Sequence, residues 1–218
     1  MTDWMTWQLV DSAFPTGAFA HSWGLEAAWQ QGHIASPEDL QRFLDETIVQ
    51  TGQAVLPLVT AAYVEPARLE ALNELAETFL VNPVANRASR VQGRTLVATA
   101  LRIWPSPQLT LLARRAEGTQ THVAPLWGIV FGHLGVTLPV VRRMALHGAA
   151  RGVLSAAVRL GITGSYEAQR LQHACGPLLE RVSERSAGLT DEDIAQTAPL
   201  IDLFQAGHDR LYSRLFQS

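Results

Sequence analysis

The chain contains no lysine; all 17 of its basic residues are arginine. That excludes a Walker A phosphate loop, and it excludes a Schiff-base or carbamylated lysine. Cys175 is the single cysteine, so no disulfide closes within the sequence, and the usage fits a reducing compartment. Charged residues make up only 17% against 47% hydrophobic, which excludes a disordered chain. A net charge of −3 gives no electrostatic ground for nucleic acid. No basic stretch followed by an apolar core opens the sequence, so no secretion leader is expected. Alternation of period two is missing, as is any internal repeat.

Only one apolar run is long enough to weigh as a membrane span. Val123 to Val141 carries no charged residue and reaches the length of a short span. It also holds Pro125, Gly128, Gly132, His133, Gly135 and Pro139, so it reads as buried core and no membrane association is expected.

What the chain does contain is helix punctuation. Ser36 caps, Pro37 takes the first helical position and Asp39 completes a capping box, after which Leu40, Phe43, Leu44, Thr47 and Ile48 keep the helical period until Gly52. Gln53 to Val64 is apolar on nearly all sides, bent or started at Pro57. Glu65-Pro66, Asn82-Pro83 and Trp104-Pro105 mark further breaks. Val84 to Ile103 is a long helix with Val84, Ala88, Val91 and Thr95 in one stripe. A polar loop is expected from Glu117 to Thr121, a helix from Pro139 to Leu160, another over Tyr166 to Arg185 interrupted at Gly176-Pro177, and a last one from Pro199 to Leu215. There Phe204, His208, Leu211 and Leu215 share a face, with Arg210 and Arg214 on another. Such an amphipathic end either docks on its own core or receives a partner. The 218 residues are read as one all-α domain, a bundle of roughly ten helices.

Signals for chemistry are weak. His21, His33, His122, His133, His147, His173 and His208 include no pair at helical i, i+3 or i+4 spacing, so no metal site is expected from the chain alone. A nickel contact formed across a dimer or with a partner stays open, since imidazole suits that ion. There is no Gly-x-Ser-x-Gly elbow, and Cys175, followed by Gly176-Pro177, reads as a small buried hydrophobe. Asp191-Glu192-Asp193 reads as an acidic first turn. Arg87, Arg90 and Arg94 form a stripe that either pairs with acids such as Glu74 or Glu77 or receives an acidic partner. No catalytic residue is expected. The alternative, a helical hydrolase or lyase whose histidines and acids meet on folding, would require a deep polar pocket.

The densest stretch lies near the start, "DSAFPTGAFAHSWGLEAA" from Asp11. Pro15 fixes φ and Gly17 permits a sharp turn. A helix is expected from Thr16 or Ser22 to Gln31, stopping at Gly32, with Leu25, Ala28 and Trp29 on its buried face. Gly24 would lie inside that helix, where an interior glycine marks the close approach of another backbone.

This stretch resembles the Pro-x-Gly-x-(aromatic)-x-x-Ser-x-Gly-Leu-Glu signature of the UreF family of urease accessory proteins. "NRASRVQGRTLVATA", "THVAPLWGIVFG", "SAAVRLGITGSYEAQRL" and the closing "HDRLYSRLFQS" resemble further blocks of that family, in family order. The resemblance implies an all-helical, dimeric, cytoplasmic protein that is not an enzyme. It further implies a scaffold with UreD (also called UreH) and the GTPase UreG, docking on apo-urease to assist nickel insertion. No resident cofactor is implied; nickel is handled by the complex. The missing lysine agrees, since the phosphate loop then belongs to another chain. By position, the resemblance points to Phe19, His21 and Arg214 as partner-facing, with Glu26, Arg87, Arg90, Arg94, His208, Tyr212 and Phe216 as further candidates.

Overall fold

Proline and capping side chains decide where the helices begin. In a computed structural model that describes residues 3–117 and 120–218, the chain forms α1 (Asp3–Val10), α2 (Leu25–Gln30), α3 (Pro37–Gln50), α4 (Leu56–Val64), α5 (Leu69–Phe79), α6 (Pro83–Ile103), α7 (Pro107–Glu117), α8 (Val123–His133), α9 (Leu138–Arg159), α10 (Ser165–Ala174), α11 (Gly176–Arg185) and α12 (Pro199–Gly207). No strand occurs among the described residues. The all-α class read from the sequence is the one observed. Of the polar loop expected over Glu117 to Thr121, Gly118 and Thr119 lie outside the described residues.

Ser36 caps α3 in a capping box with Asp39, as its sequence predicts. Asn82 caps α6 by accepting from the Val84 and Ala85 amides at 3.0 and 3.3 Å, while its own amide donates to the Asp202 carbonyl at 2.8 Å. One side chain thus starts α6 and ties it to α12. On α6 the buried stripe is Val84, Ala88, Gln92, Leu96 and Thr99, whereas Val91 and Thr95 are half-buried. The expected stripe was turned away from the core after its first two members.

The helix expected to stop at Gly52 does not stop. A π turn at Thr51–Val55 joins α3 to α4. Pro57 has no N–H to give a carbonyl one turn back, and the wider turn absorbs that gap. Gly52 is there for packing: a Cβ on it would lie 2.2 Å from Val182 Cγ1 of α11.

Two apolar clusters make the core. One gathers Leu25, Leu40, Leu44, Ile48, Val153 and Leu154, the other Leu58, Val59, Leu72, Leu96, Leu126 and Phe131. α9 supplies residues to both, and Trp127 packs against both. The run Val123 to Val141 is cut by Gly135 at φ +79°, which ends α8 after 11 residues. Among the described residues the continuous helical stretch long and apolar enough to cross a membrane is instead Pro37–Val64, and 56% of its apolar window is buried inside the protein.

Both ends of the chain depart from expectation. α2 begins only at Leu25, and Gly24 is its N-cap at φ +86° rather than an interior residue. The close approach it signals is real, because a Cβ there would sit 3.0 Å from Gln205 N and Ile201 O of α12. Trp29 is exposed, leaving Leu25 and Ala28 as the buried face. α12 ends at Gly207, and after a 3₁₀ turn (His208–Arg210) the chain leaves regular structure up to Ser218. The helix expected to reach Leu215 does not form, since the amides of Leu215 and Phe216 are taken by a side chain elsewhere.

Candidate protein-binding site: the signature and the tail

Gly17, at φ +78°, lets the chain pass from Pro15-Thr16 into the 3₁₀ turn Ala18–Ala20. That turn carries Phe19, 64% exposed, to the surface. Arg159, the last residue of α9, donates from Nη1 to the Phe19 carbonyl at 2.5 Å. Its guanidinium lies 3.9 Å from the Phe19 ring centroid and 4.2 Å from that of Phe216, a cation between two aromatic faces.

Glu26 sits in the first turn of α2 and is 2% exposed. Its Oε1 accepts from the Leu215 amide at 2.6 Å, and its Oε2 accepts from the Phe216 amide at 3.2 Å and faces His208 Nε2 at 3.0 Å. A buried carboxylate persists only when its lone pairs are taken up, and here three groups do so. The rest of the tail is fixed by backbone and side-chain contacts together. Gln217 N–H donates to the Ala20 carbonyl at 2.8 Å, and Ser22 donates to the Ser218 carbonyl from its amide at 2.5 Å and its hydroxyl at 3.0 Å. His21 Nδ1 meets the Ser218 hydroxyl. Burial, reinforced by the charges of His208 and Arg87, lowers the His21 pKa to about 4, so the imidazole is neutral near pH 7. Of the two arrangements open for the chain's end, the structure has it docked on its own core.

Around this knot the sequence-predicted residues divide. Asp209 accepts from Arg87 at 2.9 and 3.0 Å and from Arg214 at 3.3 Å, joining α6 to the tail. Phe19 and Tyr212 are exposed, as is Leu215, which follows Tyr212 in the tail. His21, Glu26, His208 and Phe216 are buried, so they hold the surface in shape and do not face outward as expected. The physical reason is the tail itself, which covers them. Arg90, 3.8 Å from Glu77, and Arg94 lie further along α6 in a groove with Glu77, Leu80 and Asn86, which Arg87 also lines. Arg159, Asp209 and Ser218 were missed. Arg159 closes α9, where a cation is favoured by the helix dipole, and that position was its only signal.

A serine, a histidine and a carboxylate line up at Ser89–His122–Glu77. His122 is fully buried, with Nε2 2.8 Å from Glu77 Oε2 and Nδ1 3.1 Å from Ser89 Oγ. Burial, opposed by Glu77, lowers the His122 pKa, and the neutral ring donates to the carboxylate and accepts from the hydroxyl. Ser89 Oγ in turn accepts from the Val123 amide at 3.3 Å. These bonds join α5, α6 and the start of α8. No group of three potential metal ligands occurs among the described residues. Burial raises the Cys175 thiol pKa, which opposes its activation as a nucleophile.

The sequence profile of the UreF family matches residues 34–176. Urease accessory protein F of Arabidopsis thaliana is 37% identical over 221 residues, covering 99% of this chain and 92% of its own length. That of Oryza sativa subsp. japonica is 36% identical, covering 98% and 84%. Urease accessory protein UreF of Sinorhizobium medicae is 30% identical, covering 98% and 94%. The profile spans about two thirds of the chain and the relatives nearly all of it: the chain belongs to the UreF family.

Proposed function

We propose that the chain is a non-enzymatic scaffold of urease maturation. It binds UreD (UreH) and the GTPase UreG, presents them to apo-urease in the cytoplasm, and works as a homodimer. Membership in the family supports the role in urease maturation. The observation that carries the scaffold reading is the rim of the tail knot. Phe19, Tyr212 and Leu215 project there from a base held by buried Glu26 and His208 and by Arg159 at the end of α9, with Arg87 and Arg214 beside them. Aromatic and arginine side chains on a rigid support are the usual anchors of protein interfaces. Without a lysine the chain has no phosphate loop of its own, which fits a partner that supplies the GTPase. Nickel enters this reading as the cargo of the assembly, and control of GTP turnover on UreG is part of it.

The test is size-exclusion chromatography with light scattering, on the chain alone and then with UreD and UreG in GTP and nickel. A dimer that shifts to a larger complex is expected. Tyr212→Ala and Phe19→Ala, with circular dichroism unchanged, should weaken that shift. A chain that stays apart from both partners under all conditions overturns the scaffold. An unchanged GTP turnover of UreG in the formed complex removes the control of that partner.

A further inference from the structure

A partly open cavity of about 240 Å³ lies between the two apolar clusters. Most of its wall is apolar, the usual setting of a small-molecule site. One part of the wall differs. α9 contributes His147 and Arg151, four residues apart and therefore on one face, and Trp23 and Trp127 also line it. Both rings lie against α9, and at Trp23 only a glycine leaves the room. A Cβ at Gly148 would be 3.4 Å from Trp127 Cη2, and one at Gly152 would be 2.8 Å from Trp23 Nε1. The Trp23 N–H is thus held beside the residue that follows Arg151. Trp23 itself has φ +60°, a backbone conformation costly for a bulky residue and the only such case outside glycine among the described residues.

Three buried atoms of residues lining this cavity have no hydrogen-bond partner: Trp23 Nε1, Arg151 Nε and His21 Nε2, the last on a residue only 5% exposed. Buried polar atoms are almost always satisfied, and the indole and guanidinium nitrogens can only donate. The carboxylates on the wall are engaged elsewhere: Asp11 accepts from the Ala13 amide at 2.6 Å, and Asp202 from Asn82 Nδ2 at 3.1 Å. Arg151 has no ion pair among the described residues. What remains is a guanidinium with no ion pair among the described residues and an indole N–H with no acceptor, beside a mostly apolar wall that includes two tryptophans. Their complement is an anion that carries an apolar body.

We propose that this cavity binds a small organic carboxylate, its carboxylate held by Arg151 and Trp23 Nε1 and its apolar body lying against Trp127 and Met144. The probe is benzoate, with benzamide as the uncharged molecule of the same shape, titrated by calorimetry and by tryptophan fluorescence. Benzoate should bind saturably and about tenfold or more tighter than benzamide, the difference made by a charge-assisted hydrogen bond. Arg151→Gln should lose about tenfold or more in benzoate affinity, and Trp23→Phe a smaller factor, since only one donor goes. Equal affinity for benzoate and benzamide, or no saturation by either, overturns the proposal and assigns the three atoms to water. So does an Arg151→Gln variant that binds benzoate as the parent does. Should that variant fail to fold, the contrast between benzoate and benzamide on the unaltered chain decides.

Discussion

Where α8 crosses α4, Gly128 lies so near the Val59 carbonyl that a Cβ would come within 2.2 Å of it, and Gly132 lies against the Tyr63 ring. Where the tail crosses α2, contact is made by a buried carboxylate receiving two amides and facing an imidazole. The first contact is dispersion and shape, indifferent to pH and salt, and it has no intermediate setting. The second depends on the charge of Glu26 and on amides that water would also satisfy, so it can open without unfolding what lies beneath. The contrast teaches where this molecule can change: at the polar knot that joins residue 26 to residues 208–216, and not at the glycine crossing.

Gly128→Ala attacks the crossing and carries the largest expected effect. The added methyl meets backbone, which cannot rotate away, so α8 must shift off α4. Overpacking of this kind costs about 3 kcal/mol and occasionally more. Urea denaturation followed by circular dichroism measures it, and a loss below about 1 kcal/mol would mean that the crossing yields as the knot does.

Glu26→Gln comes second. The amide keeps the shape but turns an N–H₂ toward groups that already donate. Hydrogen bonds to a charged group are worth about 1.5–3 kcal/mol each, yet the loss is capped because the freed tail regains water. We expect about 2 kcal/mol in global stability on that ground, with amide exchange at Leu215 and Phe216 rising far more than in α4 or α8. Equal acceleration in both regions would erase the distinction between them.

These two sites also show how far the sequence could be read. Ser36-Pro37-Glu38-Asp39 specifies its own helix start within four residues, so α3 was legible. Gly24 was legible only in part: the pattern announced a close backbone, but an N-cap at φ +86° and an interior position look alike in one dimension. The tail was misread because Phe204, His208, Leu211 and Leu215 do keep a helical period. What overrides it is Glu26, whose accepting oxygens compete for the amides a helix would have used. Glu26 was itself a candidate, but a carboxylate in a first helical turn has a sufficient surface explanation, and no local signal distinguishes it from a buried one. Helix class and most starts follow from neighbours in sequence. The site follows from pairs more than 180 residues apart.

His21 gives the knot a pH dependence that the crossing lacks. Its folded pKa of about 4 lies below the ordinary 6.5, so the unfolded chain takes up a proton first as pH falls. Its contribution is therefore complete above pH 6.5, declines as pH falls toward 4, and loses no more below that. Between pH 7.5 and 5.5 the loss is about 1 kcal/mol. His122 and His147 shift in the same direction through burial, so the informative quantity is the difference between the chain and its His21→Asn variant. That difference should shrink on acidification, because the variant has no such proton to take up. A difference independent of pH would return His21 to plain packing.

Asp209→Asn removes the acceptor shared by Arg87 and Arg214 and should have the smallest effect. Asp209, Arg87 and Arg214 are each about half exposed, at 42%, 51% and 46% of their side chains. Water and salt therefore screen the pairs, and such bridges are worth about 0–1 kcal/mol. Loss of the carboxylate also leaves no buried group stranded, because both guanidiniums turn to solvent. The expected change in the urea midpoint is close to nothing, and raising the salt concentration in the parent chain should reproduce it. A destabilisation as large as that of Glu26→Gln would show that the outer ion pairs carry the tail. Glu26 would then share the tail with the surface charges, and the knot would have been drawn too narrowly around the buried carboxylate.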